Sequence, residues 1–225
     1  MKRQIDIIYI DNHLIIVNKP SGLLVQGDKS GDETLLEHLK RLVKSRYNKK
    51  GDVFLGLVHR LDRPVSGVIV FARTSKAAAR LSEQIRQNRL RKTYRALVNG
   101  RAPHQATFTD YLARQNKRAI IATKSGGKFS ELSFKRLHYH AGTSFVEIKL
   151  KTGRYHQIRA QFSSRGLPIV GDVKYGADHA LARGEIALHA HALEFSHPVR
   201  NTIITAVSAG DALWDQYFGT QNHKE

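Results

Sequence analysis

Short apolar runs, alternating or β-branched and broken by Gly, Pro, Asn and Asp, recur along the 225 residues. Such runs predict strands. IDIIYIDNHLIIVN, residues 5–18, reads as two strands joined at Asp11-Asn12-His13, and Leu23-Leu24-Val25 as a further extended piece after the Lys19-Pro20-Ser21-Gly22 turn. Leu57-Val58 and Gly67–Ala72 read as a strand pair around a polar turn. KTYRALVNG, residues 92–100, alternates Tyr94, Ala96 and Val98 against Thr93, Arg95 and Leu97. Strands are then predicted at 105–113, 118–123, 129–138, 143–150, 186–195 and 202–207.

Period 3.6 appears in fewer places. Thr34-Leu35-Leu36-Glu37 is a capping box that opens a helix to about Arg46, with Leu35, Leu36, Leu39, Leu42 and Val43 as its apolar stripe. Ser75 is expected to cap a helix from Lys76 to Asn88, with Ala78, Leu81 and Ile85 inward. Gly153 is expected to open a third helix with Ile158 and Phe162 as its i, i+4 pair, so that Arg154, His156 and Arg159 leave its first turns. A last helix, 210–218, would bury Leu213, Trp214, Tyr217 and Phe218. Consecutive strands without regular βαβ alternation predict an α+β fold: a long mixed, mainly antiparallel sheet flanked by a few helices. Residues 1–220 read as one domain and 221–225 as a frayed polar tail.

Charge changes the picture. Thirty-seven Lys and Arg against nineteen Asp and Glu leave a net +18. Such an excess favours a polyanion, and without a basic amphipathic helix bearing an aromatic face, nucleic acid is preferred over a membrane. With no cysteine, disulfides, thiolate nucleophiles and Cys-ligated zinc are excluded. Asp6 and Asp11 break the apolar residues after Met1-Lys2-Arg3, so no signal sequence forms. A cytoplasmic monomer is expected.

The candidate chemistry lies in LVHRLDRPVSGVIVFART, residues 57–74, where His59, Arg60, Asp62 and Arg63 sit between apolar strands. A turn Asp commonly bonds its own backbone and nothing more. Two flanking arginines suit instead a carboxylate that stays ionised beside an anionic polymer. No G-x-S-x-G elbow is present for a serine hydrolase. Asp28 stands where a phosphate loop after Gly22 and Gly27 would need its Lys. His189 and His191 share a strand face and His197 is near in sequence, but Glu194 falls on the opposite face, so an ordinary polar role is favoured over a metal site. A single carboxylate acting as nucleophile or base remains, with Asp62 as the candidate.

HRLDRPVSG resembles the catalytic motif of the RluA-type pseudouridine synthases, and NKPSGLLVQGD (18–28), KTYRALVNG (92–100) and LKTGRYHQIRAQFSSRGLPIVGDVKYG (150–176) match that family in order. The resemblance covers residues 5–207, and Val65 departs from it where many members carry Thr. It implies one long antiparallel sheet in two halves, and isomerisation of uridine to pseudouridine within structured RNA, with no cofactor and no metal. It implies no N-terminal S4-type domain in this chain.

By the same resemblance Asp62 would act on the sugar or the base: by attack at C1′, by attack at C6, or by abstraction of the 2′ hydrogen. Arg159 would hold Asp62 ionised, since desolvation alone raises a carboxylate's pKa. Tyr94 would stack on the base or take the C5 proton. Arg60 would fill the gap left by an extruded nucleotide. His59, Arg63, Arg91, Lys92, Arg154 and His156 are RNA-contact candidates, alongside basic clusters at 40–50, 86–95 and 114–128. The RNA is ribosomal or transfer RNA, with the HRLDRP form and compact length leaning toward transfer RNA. The alternative is a non-catalytic RNA-binding or ribosome-assembly module with the same fold; a metal-dependent nuclease is weaker for want of a carboxylate cluster.

Overall fold

The structure, a computed structural model, describes residues 5–28, 31–200, 202–208 and 210. Two compact units are distinguishable: Met1–Leu90 with Ala192–Ala209, and Arg91–His191 with Gly210–Glu225.

The first unit holds β1 (Asp6–Ile10), β2 (Leu14–Lys19), α1 (Leu35–Arg46), β3 (Gly56–Leu57), β4 (Ser66–Ala72) and α2 (Ser75–Arg86). β1, β2 and β4 form an antiparallel ladder, and β3 pairs with β4 through Gly56↔Ala72 and Leu57↔Phe71. Every residue of β4 is buried, as its unbroken apolar run requires. Leu14, Ile16, Val68 and Val70 pack with Ala77 and Leu81 of α2. The expected capping box is present on α1: Thr34 Oγ1 accepts from the Glu37 N–H, and Glu37 accepts from the Thr34 N–H. Leu35, Leu39 and Val43 are the buried part of its stripe.

The second helix begins one residue before its expected start. Thr74, not Ser75, is its N-cap, with Oγ1 accepting from the Ala77 N–H at 3.1 Å. Its buried face includes a polar residue: Gln84 donates to the Ser196 carbonyl (2.8 Å) and accepts from the Ser196 N–H (3.0 Å). A glutamine that exchanges two bonds with a strand backbone behaves as one more ladder rung.

The second unit holds β5 (Arg91–Asn99), β6 (Gln105–Gln115), β7 (Arg118–Ala122), β8 (Lys128–His140), β9 (Thr143–Leu150) and α3 (Gln157–Ser163), with a 3-10 turn at Val173–Tyr175. Its strands run in the order β5-β9-β8-β6-β7, each paired antiparallel with its neighbour. Phe162 of α3 packs against Phe108 and Phe134 at ring distances of 5.2 and 5.0 Å. β10 (Leu188–Ser196) and β11 (Ile203–Val207) form the last hairpin. The helix expected at 210–218 lies outside the described residues, Gly210 excepted.

The third helix is shorter than expected. It starts at Gln157, and its cap, His156, has φ 48°, ψ 28°. Gly153–His156 is a loop braced by buried Gln157, whose Oε1 accepts from Thr152 Oγ1 (2.8 Å) and the Arg154 N–H (3.0 Å). Arg154 and His156 are therefore placed by side-chain bonds rather than by helical spacing, and a single left-handed residue blocks extension of the helix toward Gly153. Among the described residues no helix is long and apolar enough to cross a membrane.

Candidate active site

Asp62 sits in the turn between β3 and β4, flanked in sequence by buried Leu61 and, three residues on, buried Val65. The turn is clamped by the segment after β2. Lys19 is fully buried, and its ammonium donates to the carbonyls of Pro20 (3.0 Å), Leu23 (2.9 Å) and Arg63 (3.2 Å). Ser21 Oγ donates to the Pro64 carbonyl at 2.9 Å. The Gly22 N–H donates to the Arg63 carbonyl at 2.8 Å, and Arg63 Nε donates back to the Gly22 carbonyl at 3.2 Å. Gly22 has φ 79°, a conformation that favours glycine. Within the turn, the Val65 N–H donates to the Asp62 carbonyl at 3.1 Å.

Two matched stretches thus explain each other: NKPSG exists to hold HRLDRP. A buried ammonium is costly unless satisfied, and three carbonyls supply that satisfaction here. Asp62 is thus half-buried on a turn whose backbone has little freedom.

The flanking residues divide in role. His59 Nε2 accepts from the Val70 N–H at 3.2 Å, so the neutral ring carries its proton on Nδ1. That bond ties His59 to β4. Arg63 pairs with Asp32 at 2.8 Å, with both side chains 49% exposed. Arg60 is exposed.

In the second unit, Tyr94 is buried in β5 opposite Ile148 of β9. Arg91 is exposed at the strand's start. Lys92 is half-buried, and burial pulls its pKa below the ordinary lysine range. Its Nζ lies beside Gly153, where an added Cβ would stand 3.2 Å away.

Arg159 is 6% exposed and forms a two-pronged ion pair with Asp172: Nε to Oδ2 at 2.7 Å and Nη2 to Oδ1 at 2.8 Å. Its guanidinium also lies 4.8 Å from the centre of the Tyr175 ring. The Tyr175 hydroxyl accepts from the Ala119 N–H (2.7 Å) and shares a second hydrogen bond with His156 Nδ1 (2.8 Å). His156 is neutral: burial, then the charge of Arg159, holds its pKa down to about 3.

Asp172, Tyr175, Lys19 and Gln157 were not singled out by spacing. Asp172 and Tyr175 lie inside the matched 150–176 stretch, but a partner 13 residues from Arg159 follows no helical or strand period. The exposed Arg154 donates through Nε to the Phe129 carbonyl at 2.9 Å. His189 and His191 have ring centres 6.4 Å apart, and among the described residues no group of three His, Cys, Asp or Glu is placed to hold a metal ion.

Residues 13–164 match the family described as RNA pseudouridylate synthase. The chain belongs to the RNA pseudouridylate synthase family. The matched region of this family contains Asp62, Tyr94 and Arg159 and ends before Asp172. The chain is 34% identical over 208 residues to the Bacillus subtilis (strain 168) protein named uncharacterized RNA pseudouridine synthase YhcT, covering 90% of this chain and 68% of that one. It is 33% identical over 227 residues to ribosomal large subunit pseudouridine synthase C of Buchnera aphidicola subsp. Acyrthosiphon pisum, covering 95% of this chain and 70% of the relative. Among solved structures, human RNA pseudouridylate synthase domain containing 4 superposes with a TM-score of 0.78 at 23% identity, over 93% of this chain and 90% of that chain. The α+β fold is the pseudouridine synthase fold.

Proposed function

We propose that this RNA pseudouridine synthase isomerises uridine in large-subunit ribosomal RNA, with Asp62 as the reacting carboxylate. Family membership supports the reaction class, and relatives named as ribosomal large subunit synthases support the RNA. They favour ribosomal RNA over the transfer RNA toward which the HRLDRP form leans. The observation that carries the role of Asp62 is its turn, fixed by bonds from Lys19, Ser21 and Gly22.

In the reaction the bond between N1 and C1′ breaks, the uracil turns, and C5 bonds to C1′. C5 loses its hydrogen as a proton and N1 gains one, so the product is an isomer. Asp62 acts at C1′, at C6 or at the 2′ hydrogen. Tyr94 is assigned to the base or the C5 proton, and Arg159 to holding charge. Arg60 takes the place of the extruded nucleotide. Arg63, Arg91, Lys92 and Arg154 meet phosphates, with His59 and His156 serving more as braces. Residues 1–220 act as one catalytic domain, a monomer in the cytoplasm, and the self-repulsion of a +18 chain supports the monomer.

Tritium release from a [5-3H]uridine-labelled large-subunit ribosomal transcript tests this. Wild-type protein is expected to release tritium, and Asp62→Asn to fall by at least about 1000-fold. Release by Asp62→Asn at the wild-type rate rejects the assignment; no release by wild type from this RNA, with release from transfer RNA, corrects the substrate.

A further inference from the structure

A stretch of cations without a carboxylate runs through the β6–β7 hairpin and the turn after it. Residues 111–130 carry Arg114, Lys117, Arg118, Lys124 and Lys128 and no carboxylate. Basic residues elsewhere are partly neutralised: Arg41 by Glu33, Arg86 by Glu83, Arg95 by Glu147 and Arg165 by Asp110. Arg114, Lys117 and Arg118 are all exposed.

The hairpin tip is also built rather than loose. Asn116 and Lys117 both have positive φ (45° and 59°), which closes a two-residue turn matched to strand twist. The Lys117 carbonyl, at the tip, accepts from Tyr155 Oη at 3.1 Å and from Lys174 Nζ at 2.6 Å. Three separate stretches of chain thus meet at one carbonyl. The Arg114 guanidinium lies 4.5 Å from the centre of the Tyr155 ring, and that ring stacks on His156 at 3.8 Å and 18°. His156 in turn bonds Tyr175, which packs with Leu112, Ala119 and Ala160 in a buried cluster under the hairpin. The exposed cations therefore stand on a column anchored in the core.

This column decides what the patch can bind. Tyr155 is 38% exposed and would otherwise suit base stacking, but Arg114 and His156 already pack against its ring. Its ring gives Arg114 a fixed support. A planar guanidinium held in place, with lysines around it, matches the oxygens of a phosphodiester and reads no base edge.

We propose that the β6–β7 hairpin tip, with Arg114, Lys117 and Arg118 on it and Lys174 bonded to it, is a docking site for the phosphate backbone of structured RNA that binds without regard to base sequence. The proposal rests on the reading of the chain as an RNA-modifying enzyme, and it adds a surface that none of the matched catalytic stretches contains as a whole.

The test measures binding of the full chain to an unmodified large-subunit ribosomal transcript and to a duplex RNA of unrelated sequence across a KCl series. Arg114→Gln with Arg118→Gln is compared with a charge-matched control, Lys135→Gln with Lys149→Gln, exposed on β8 and β9. The patch variant is expected to bind both RNAs about tenfold or more weakly, with a slope of log affinity against log salt shallower by about 1.5, from two lost phosphate contacts. The control keeps a steeper slope than the patch variant. Arg114→Lys, which keeps the charge and loses the planar stack, falls between. Loss for the ribosomal transcript alone, equal loss in patch and control variants, or unchanged slopes would each overturn the proposal. So would unchanged RNA binding with lost binding to phosphatidylglycerol vesicles, which would assign the patch to membranes. Binding is read separately from tritium release: a wild-type chain that binds with this slope but releases no tritium sinks the catalytic reading and leaves the patch standing. A patch variant whose melting temperature has dropped is replaced by Lys117→Gln with Arg118→Gln, for which a shallower slope supports the proposal and a wild-type slope counts against it.

Discussion

Lys19 and Arg159 are both buried cations, and each is satisfied differently. Lys19 gives its donors to three backbone carbonyls, which a compact ammonium does well. Arg159 presents a flat fork, and Asp172 receives it with both oxygens. Taking away one partner of such a pair strands the other charge in a dry site. Asp172→Asn is therefore expected to lower the unfolding free energy by about 3 kcal/mol, measured by urea denaturation, while Arg159→Met with Asp172→Leu recovers much of that loss because neither charge remains. A double variant as unstable as the single would show that the pair does more than neutralise itself.

At the scale of elements, helix ends separate what pattern can and cannot locate. Thr74 and Ser75 are adjacent and both are good caps by residue type. The structure gives the role to Thr74, whose oxygen meets the Ala77 N–H. Thr74→Ala should cost about 1 kcal/mol in thermal or urea unfolding and Ser75→Ala less than about 0.5 kcal/mol. Equal costs would reject this cap. Most elements were legible because their signals are local: the Thr34–Glu37 capping box, the alternation in Arg91–Asn99, and the hairpin turns at Asn116 and Gly126. The start of the third helix was not legible. His156 has no residue-type bias strong enough to announce φ 48°, and what holds it there is a tyrosine 19 residues later and a glutamine brace. The Asp62 turn was legible as a turn, but its clamp was not, because Lys19 lies 44 residues from the carbonyl it binds.

For the molecule as a whole, acid should act in two stages. His156 has its pKa held down to about 3, below the ordinary histidine value, so the unfolded chain takes up a proton first as pH falls below about 6.5. Stability is then lost from about pH 6.5 downward. Burial raises the Asp11 pKa, but hydrogen bonds from the His13 and Leu14 N–H groups, Tyr9 and His197 outweigh it and hold it at about 2. Its contribution is present above about pH 4 and disappears as pH falls toward 2, a loss of about 2 kcal/mol. Melting temperatures from pH 2 to 8 should show both stages. His156→Gln should flatten the upper one and Asp11→Asn the lower one, and a wild-type curve flat between pH 6.5 and 4 would contradict the burial of a neutral His156.

With no exposed surface, the Lys19 amine offers no path to an acylating reagent while the end of β2 stays docked on the Asp62 turn. Native protein left in dilute anhydride will mark its outer lysines at once, and this one only as fast as that corner comes apart. One nitrogen thus keeps time for the segment proposed to carry the chemistry.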